Sequence, residues 1–142
     1  MLILLVEDNP GDVILVREAL ASLGLGHHLE VLRDGEEALA WLARCDGDPE
    51  SQMPALILLD LNLPKRTGME VLHAVRQGER WREVPVMVVS SSDNDADRRE
   101  VARLGATAYF RKPSDLDEFL QLGETVGRLL QRPERSLNSV AG

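Results

Sequence analysis

The chain has 142 residues, enough for one domain with its own core, and its apolar fraction of 44% and charged fraction of 28% are those of a globular protein. A net charge of −8 argues against a nucleic-acid partner or an anionic membrane surface. A single cysteine, Cys45, excludes an internal disulfide framework or a cysteine metal cluster, while the opening MLILLV is too short to span a bilayer and lacks the basic start of a signal peptide, so a cytoplasmic location is expected.

Leu2 to Val6 is an apolar run that ends at Glu7 and Asp8 and reads as a buried strand. Asn9-Pro10 suits a helix start, and the helix runs to about Leu23, with Gly24 as its stop. Val13, Val16, Leu20 and Leu23 share one face at helical spacing. Ile14 and Leu15 fall outside that stripe, as a partner surface or as ordinary scattered exposure. His28 to Leu32 alternates as a second strand, Asp34-Gly35 is a turn and cap, and Glu36 to Ala43 is a second helix carrying Leu39 and Leu42. The stretch DGDPESQMP, 46–54, is a polar loop and the segment most prone to disorder.

Ala55 to Leu59 is an unbroken apolar run with Asp60 at its end, the pattern of a strand buried on both faces. Ligands of open α/β sheets bind at such ends, although an acid there also simply starts turns. Asn62, Pro64 and Gly68 mark the turn, and Thr67 with Glu70 forms a capping box for a helix to about Gln77. Val84 to Val89 is a fourth apolar run, ending in Ser90, Ser91 and Ser92. The acids of 93–97 cap a short helix to Leu104, closed by Gly105. Ala106 to Arg111 is a fifth strand, followed by Lys112-Pro113. Ser114 caps a last helix to about Gln131, with Leu116, Phe119, Leu120, Val126 and Leu130 on its inner face and Leu122 and Leu129 to one side. Pro133 ends it, and 132–142 is a loose tail beyond a domain of 1–131. Five strands alternating with five helices predict a doubly wound α/β fold: a parallel sheet with helices on both faces.

The strand ends deliver Glu7 and Asp8, Asp60, Ser90 and Lys112. Three crowded carboxylates repel one another, and a hard divalent cation, Mg²⁺ above all, relieves this with oxygen ligands. The lysine calls for an anion, and a serine hydroxyl can donate to one of its oxygens. Carboxylate nucleophile, metal, lysine and hydroxyl together equip a site for phosphoryl transfer onto Asp60.

The segments LILLVEDN, LILLDLNLP-x-x-x-G, VPVMVVSSS and LGATAYFRKP, in this order, resemble the receiver domain of two-component response regulators over nearly the whole chain. The resemblance implies a flavodoxin-like five-stranded sheet of order 2-1-3-4-5 with Asp60 as phosphoacceptor. It implies Mg²⁺ held directly by Asp8, Asp60 and the backbone carbonyl of Asn62, with Glu7 acting through a water. Lys112 would pair with the phosphoryl group and precede a cis bond to Pro113. Ser90 would be the switch hydroxyl and Tyr109 the switch aromatic, with Ser91 bordering the phosphoryl group and helping to set its lifetime. Without the resemblance, Tyr109 reads as core and Lys112 as a solvated charge. A serine at 90 and a glutamate at 7 are mild departures from the commoner threonine and aspartate.

The NPGD helix start, the long loop before the third strand, SSSDNDAD and the absence of an output domain are similar to single-domain receivers paired with bacterial phytochrome-type histidine kinases. Such receivers often form homodimers through the fourth helix, fifth strand and fifth helix. Leu122 and Leu129 are candidate dimer residues, and Ile14 and Leu15 are candidates for kinase docking. The implied role is a phosphorylation-controlled switch, or a phosphorelay intermediate or phosphate sink, catalysing only its own phosphorylation and dephosphorylation.

Other signals carry less. The acids of 93–97 start like a calcium loop, but Arg98 and Leu104 stand where glycine and glutamate are needed. His27, His28 and His73 have no acid or cysteine at ligand spacing, and Gly24-Leu25-Gly26 lacks a third glycine. A dehalogenase-type phosphohydrolase needs a second acid two residues after its nucleophile, where this chain has Asn62. A receiver-like module that is never phosphorylated would have lost Asp8, Asp60 or Lys112, and all three are present.

Overall fold

The computed structural model describes residues 1–141 other than Asp93, with the side chains of 132–141 left aside; the helix stop expected at Pro133, ahead of a tail, is corrected, because the last helix continues to Ala141. Each apolar run becomes a strand: β1 (Leu2–Val6), β2 (His28–Leu32), β3 (Leu56–Leu59), β4 (Val86–Ser90) and β5 (Ala108–Arg111). They form one parallel sheet in the order β2-β1-β3-β4-β5. Between them run α1 (Pro10–Ala21), α2 (Gly35–Asp46), α3 (Gly68–Gln77) and α4 (Asp95–Arg103), and the last helix is interrupted at Gln121 into α5 (Leu116–Leu120) and α6 (Leu122–Ala141).

Side chains alternate between the two faces of the sheet, as strand geometry dictates. Leu4, Val6, Ile57, Leu59, Val86 and Val88 face α2, α3 and α4, where Leu42, Leu72, Val75, Trp81 and Val101 close over them. Ile3, Leu5, Leu56, Leu58, Met87 and Val89 face α1 and the last helix, meeting Val16, Leu20, Phe119, Leu122, Val126 and Leu129. With both faces covered, the central strands are apolar throughout.

Register fixes what stands at the upper edge. Val6 is level with Leu59, Leu59 with Val88, and Ser90 with Arg111. Glu7 and Asp60 therefore leave the sheet side by side, with Ser90 and Lys112 following on the next two strands.

Further expectations are corrected. The stripe of the last helix is Phe119, Leu122, Val126 and Leu129, at spacings of three and four, while Leu116 is 52% exposed. Leu122 and Leu129, expected to one side, are therefore core residues at 0% and 3% exposure and cannot form a dimer surface. Gly123 keeps this helix against α1, since a Cβ there would lie 2.5 Å from the carbonyl oxygen of Ala19. Asp115, not Ser114, is the N-cap, accepting from the N–H groups of Asp117 and Glu118. The loop 46–54 is tied down instead of loose: Arg80 donates to the carbonyl oxygens of Cys45, Asp48 and Ser51, and Trp81 Nε1 donates to Asp46 Oδ1 at 2.6 Å.

Candidate functional site

The upper sheet edge is built from backbone outward. The Asp60 N–H donates to the Val6 carbonyl at 3.1 Å, so Asp60 is still locked to β1 where its side chain leaves the sheet. Its Oδ1 accepts from the Asn62 N–H at 3.2 Å, a local turn that orients the carboxylate. Gly68 is required beneath it, because a Cβ there would lie 2.2 Å from the Asp60 carbonyl oxygen. Glu7 is buried at 1% exposure, and its Oε2 accepts from the Asn9 N–H at 3.2 Å. Asp8 is exposed. Glu7, Asp8 and Asp60 each offer an oxygen within 4.8 Å of the others.

Lys112 reaches over this group from the end of β5. Its backbone N–H donates to the Ser90 carbonyl at 2.8 Å. Its Nζ donates to Glu7 Oε1 at 2.7 Å, Asp12 Oδ2 at 2.8 Å and Asp60 Oδ2 at 3.1 Å. Burial opposes the ammonium charge, but the bonds to Asp12 and Glu7 and the charges of Asp60 and Glu7 outweigh it and raise the Lys112 pKa. Burial pushes the Glu7 carboxyl up to about 7; Lys112 opposes that rise and neighbouring Asp60 adds to it. One ammonium thus partly neutralises a crowded set of acids. The remaining donors are oxygens from three carboxylates, the donor set of a hard divalent cation, so the residues fit Mg²⁺. Asn62 sits in the same turn with its side chain exposed.

Ser90 is fully buried, and its Oγ accepts from the Ser92 N–H at 3.1 Å. Ser92 in turn accepts at its carbonyl from the Tyr109 hydroxyl at 2.9 Å, and its own Oγ donates to Asp97 Oδ2 at 2.7 Å. The Arg98 guanidinium lies over the Tyr109 ring, 4.3 Å from its centroid. Ser90 and Tyr109 are therefore joined through the loop between β4 and α4, with α4 clamped to the ring. Ser91 is exposed beside them.

Most of the predicted site residues meet at this edge; others do not. Ile14 is 57% exposed on α1, whereas Leu15 packs partly against the core. The Lys112–Pro113 bond is trans: among the described residues there is no cis peptide bond. The energetic gap between X-Pro isomers is small, about 0.5–1 kcal/mol, so the dipeptide alone does not decide between them. Asp12, Ser92 and Arg98 were missed. Asp12 had a legible signal, because it lies one helical turn after Asp8 at the start of a helix that begins under the site. Arg98 had none, since its contact with Tyr109 is made between two elements.

Comparison with known proteins agrees with this fold. The family model described as the response regulator receiver domain matches residues 3–123. The chain is 39% identical over 120 residues to the response regulator Rcp1 of Synechocystis sp., covering 84% of this chain and 82% of Rcp1. It is 38% identical over 125 residues to the probable methanogenesis regulatory protein FilR2 of Methanothrix harundinacea, covering 88% of this chain and 80% of FilR2. Among solved structures, the phosphorylated cyanobacterial phytochrome response regulator RcpA superimposes with a TM-score of 0.83 at 36% identity, over 92% of this chain and 93% of RcpA. The Mn²⁺-bound form of Rcp1 gives a TM-score of 0.80 at 37% identity, over 89% and 91%.

Proposed function

The chain belongs to the response regulator receiver domain family, and from that premise we propose that Asp60 accepts a phosphoryl group from a partner histidine kinase and that the modified site resets a protein-binding surface. The observation that carries this reading is the Lys112 ammonium held at 3.1 Å from Asp60 Oδ2, beside two further acids. An oxygen of Asp60 attacks the phosphorus of a phosphohistidine; the P–O bond forms as the P–N bond breaks, and the imidazole leaves with the bonding pair. Asp8, Asp60 and the carbonyl of Asn62 would hold Mg²⁺, with Glu7 acting through a water, and the ion would supply positive charge for the phosphoryl oxygens.

The chain's own groups do the rest. The Asn62 N–H bond keeps Asp60 Oδ1 directed, and Lys112 offers its ammonium to the incoming anion. The Ser90 hydroxyl, which now accepts from Ser92, can turn its proton toward a phosphoryl oxygen. Ser91 borders the same space. Moving the loop at Ser92 disturbs the acceptor of the Tyr109 hydroxyl, so the ring responds and with it the surface of α4 and β5. This is a shift between two states that the phosphoryl group stabilises unequally.

The names of RcpA and of AtBRR, a bacteriophytochrome response regulator that is 38% identical to this chain, support a phytochrome-type kinase as partner. Exposed Ile14, with Leu15 behind it, is the proposed apolar element of kinase docking. Incubation with Mg²⁺ and acetyl phosphate should add one phosphate, read by intact mass. Asp60→Asn should add none; equal labelling of that variant removes Asp60 as the acceptor.

A further inference from the structure

We propose that Asp12 is a positioning residue for this reaction, anchoring the Lys112 ammonium while the other two acceptors of that ammonium are engaged elsewhere. The inference rests on the reading of Asp60 as phosphoacceptor.

A lysine ammonium has three N–H donors, and Lys112 spends all of them on carboxylates: Glu7 at 2.7 Å, Asp12 at 2.8 Å and Asp60 at 3.1 Å. The three acceptors are not equivalent. Glu7 and Asp60 lie with Asp8 in the group that can hold a cation, and Asp60 is also the atom source for the new P–O bond. A cation and a phosphoryl group would compete with Lys112 for both of them. Asp12 lies outside that group and is the acceptor left to hold the ammonium. A flexible four-carbon stem without a fixed acceptor would spread its charge over many rotamers.

The local backbone fixes Asp12 for this. Asn9 caps α1 by accepting from the Asp12 N–H at 3.1 Å, and the Asn9 N–H donates to Glu7 Oε2 at 3.2 Å. One hydrogen-bonded turn therefore sets the two carboxylates that flank Lys112 relative to each other. Asp12 is also the acidic residue in the first turn of α1, near the positive end of the helix dipole.

The test compares wild type, Asp12→Asn and Asp12→Glu. Asparagine keeps the size of the side chain and its place in the helix while removing the charge. With Mg²⁺ saturating, Asp12→Asn should lower the maximal rate of phosphorylation by acetyl phosphate about tenfold, the loss expected for a hydrogen bond between charged groups. Its KM should change much less, and Asp12→Glu should recover most of the rate. A purely structural role would not give that split or that rescue. The second readout needs no turnover: in the Mg²⁺-loaded protein without phosphodonor, the Lys112 Nζ resonance in ¹H–¹⁵N spectra should be visible in wild type and Asp12→Glu and lost to water exchange in Asp12→Asn. An Asp12→Asn protein with a wild-type maximal rate, or with the ammonium resonance retained, overturns the proposal. If wild type takes up no phosphate, the reading of Asp60 fails instead, and the resonance comparison alone decides the role of Asp12.

Discussion

Lys112 carries more of this site than its place in the sequence suggests. Its ammonium is the one cation bonded to Glu7 and Asp60 among the described residues, and both of those acids are buried. Removing one partner of a buried ion pair leaves an uncompensated charge, at a cost of about 3–5 kcal/mol. Lys112→Met should therefore destabilise the metal-free protein by about 3 kcal/mol, the low end of that range, because Asp12 at the same ammonium is partly exposed and can be solvated. Urea unfolding in a chelator measures this. Mg²⁺ should recover part of the loss, because it offers the same acids another cation; no recovery would mean that the acids do not share a metal. The site of Glu7 points the same way: a carboxyl raised to about 7 chiefly by burial marks a place where charge is expensive until a cation arrives.

The last helix shows where pattern reading goes astray and why. Leu116, Phe119, Leu120, Val126 and Leu130 suggested one phase for the stripe, with Leu122 and Leu129 widening it to one side. The actual stripe runs 119, 122, 126 and 129, and with it the inner face turns to α1. Both phases place leucines at helical spacing, and only packing against α1, with Gly123 at the contact, chooses between them. Leu122→Arg should thus act on folding instead of on association. Placing a guanidinium where exposure is 0% leaves it without a partner and should cost about 3 kcal/mol or more, seen as a lowered urea midpoint. A variant that folds normally but changes mass in light scattering would restore the surface reading. By contrast, the caps at Asn9, Asp34 and Thr67 were legible because each is a local bond to a backbone N–H three residues on.

For the molecule as a unit, legibility follows the range of the interaction. The apolar runs ending at Glu7, Asp60 and Ser90 determined the strands, and parallel connections leave little freedom in how they are ordered. Strand register then carried Glu7, Asp60, Ser90 and Lys112 to one edge, so the centre of the site could be read from strand ends. What escaped was the material that reaches the edge from helices: Asp12 from α1 and Arg98 from α4. Asp12 had a local hint in its spacing from Asp8, but the Arg98 contact depends on how far α4 is rotated and slid over the sheet, and no local pattern encodes that.

The position of the two tryptophans has an optical consequence. Trp41 lies in the second half of α2, and Trp81 is buried beyond the end of α3, with ring centroids 5.7 Å apart. Ten residues of α3 separate Trp81 from the turn at Gly68, about 15 Å of helix. Both indoles therefore sit at the end of the molecule opposite Asp60. Intrinsic emission should be a clean reporter of unfolding and nearly blind to Mg²⁺ and to phosphorylation. A titration that shows a large change in tryptophan emission would mean that events at Asp60 are transmitted down α3 to the far end of the molecule.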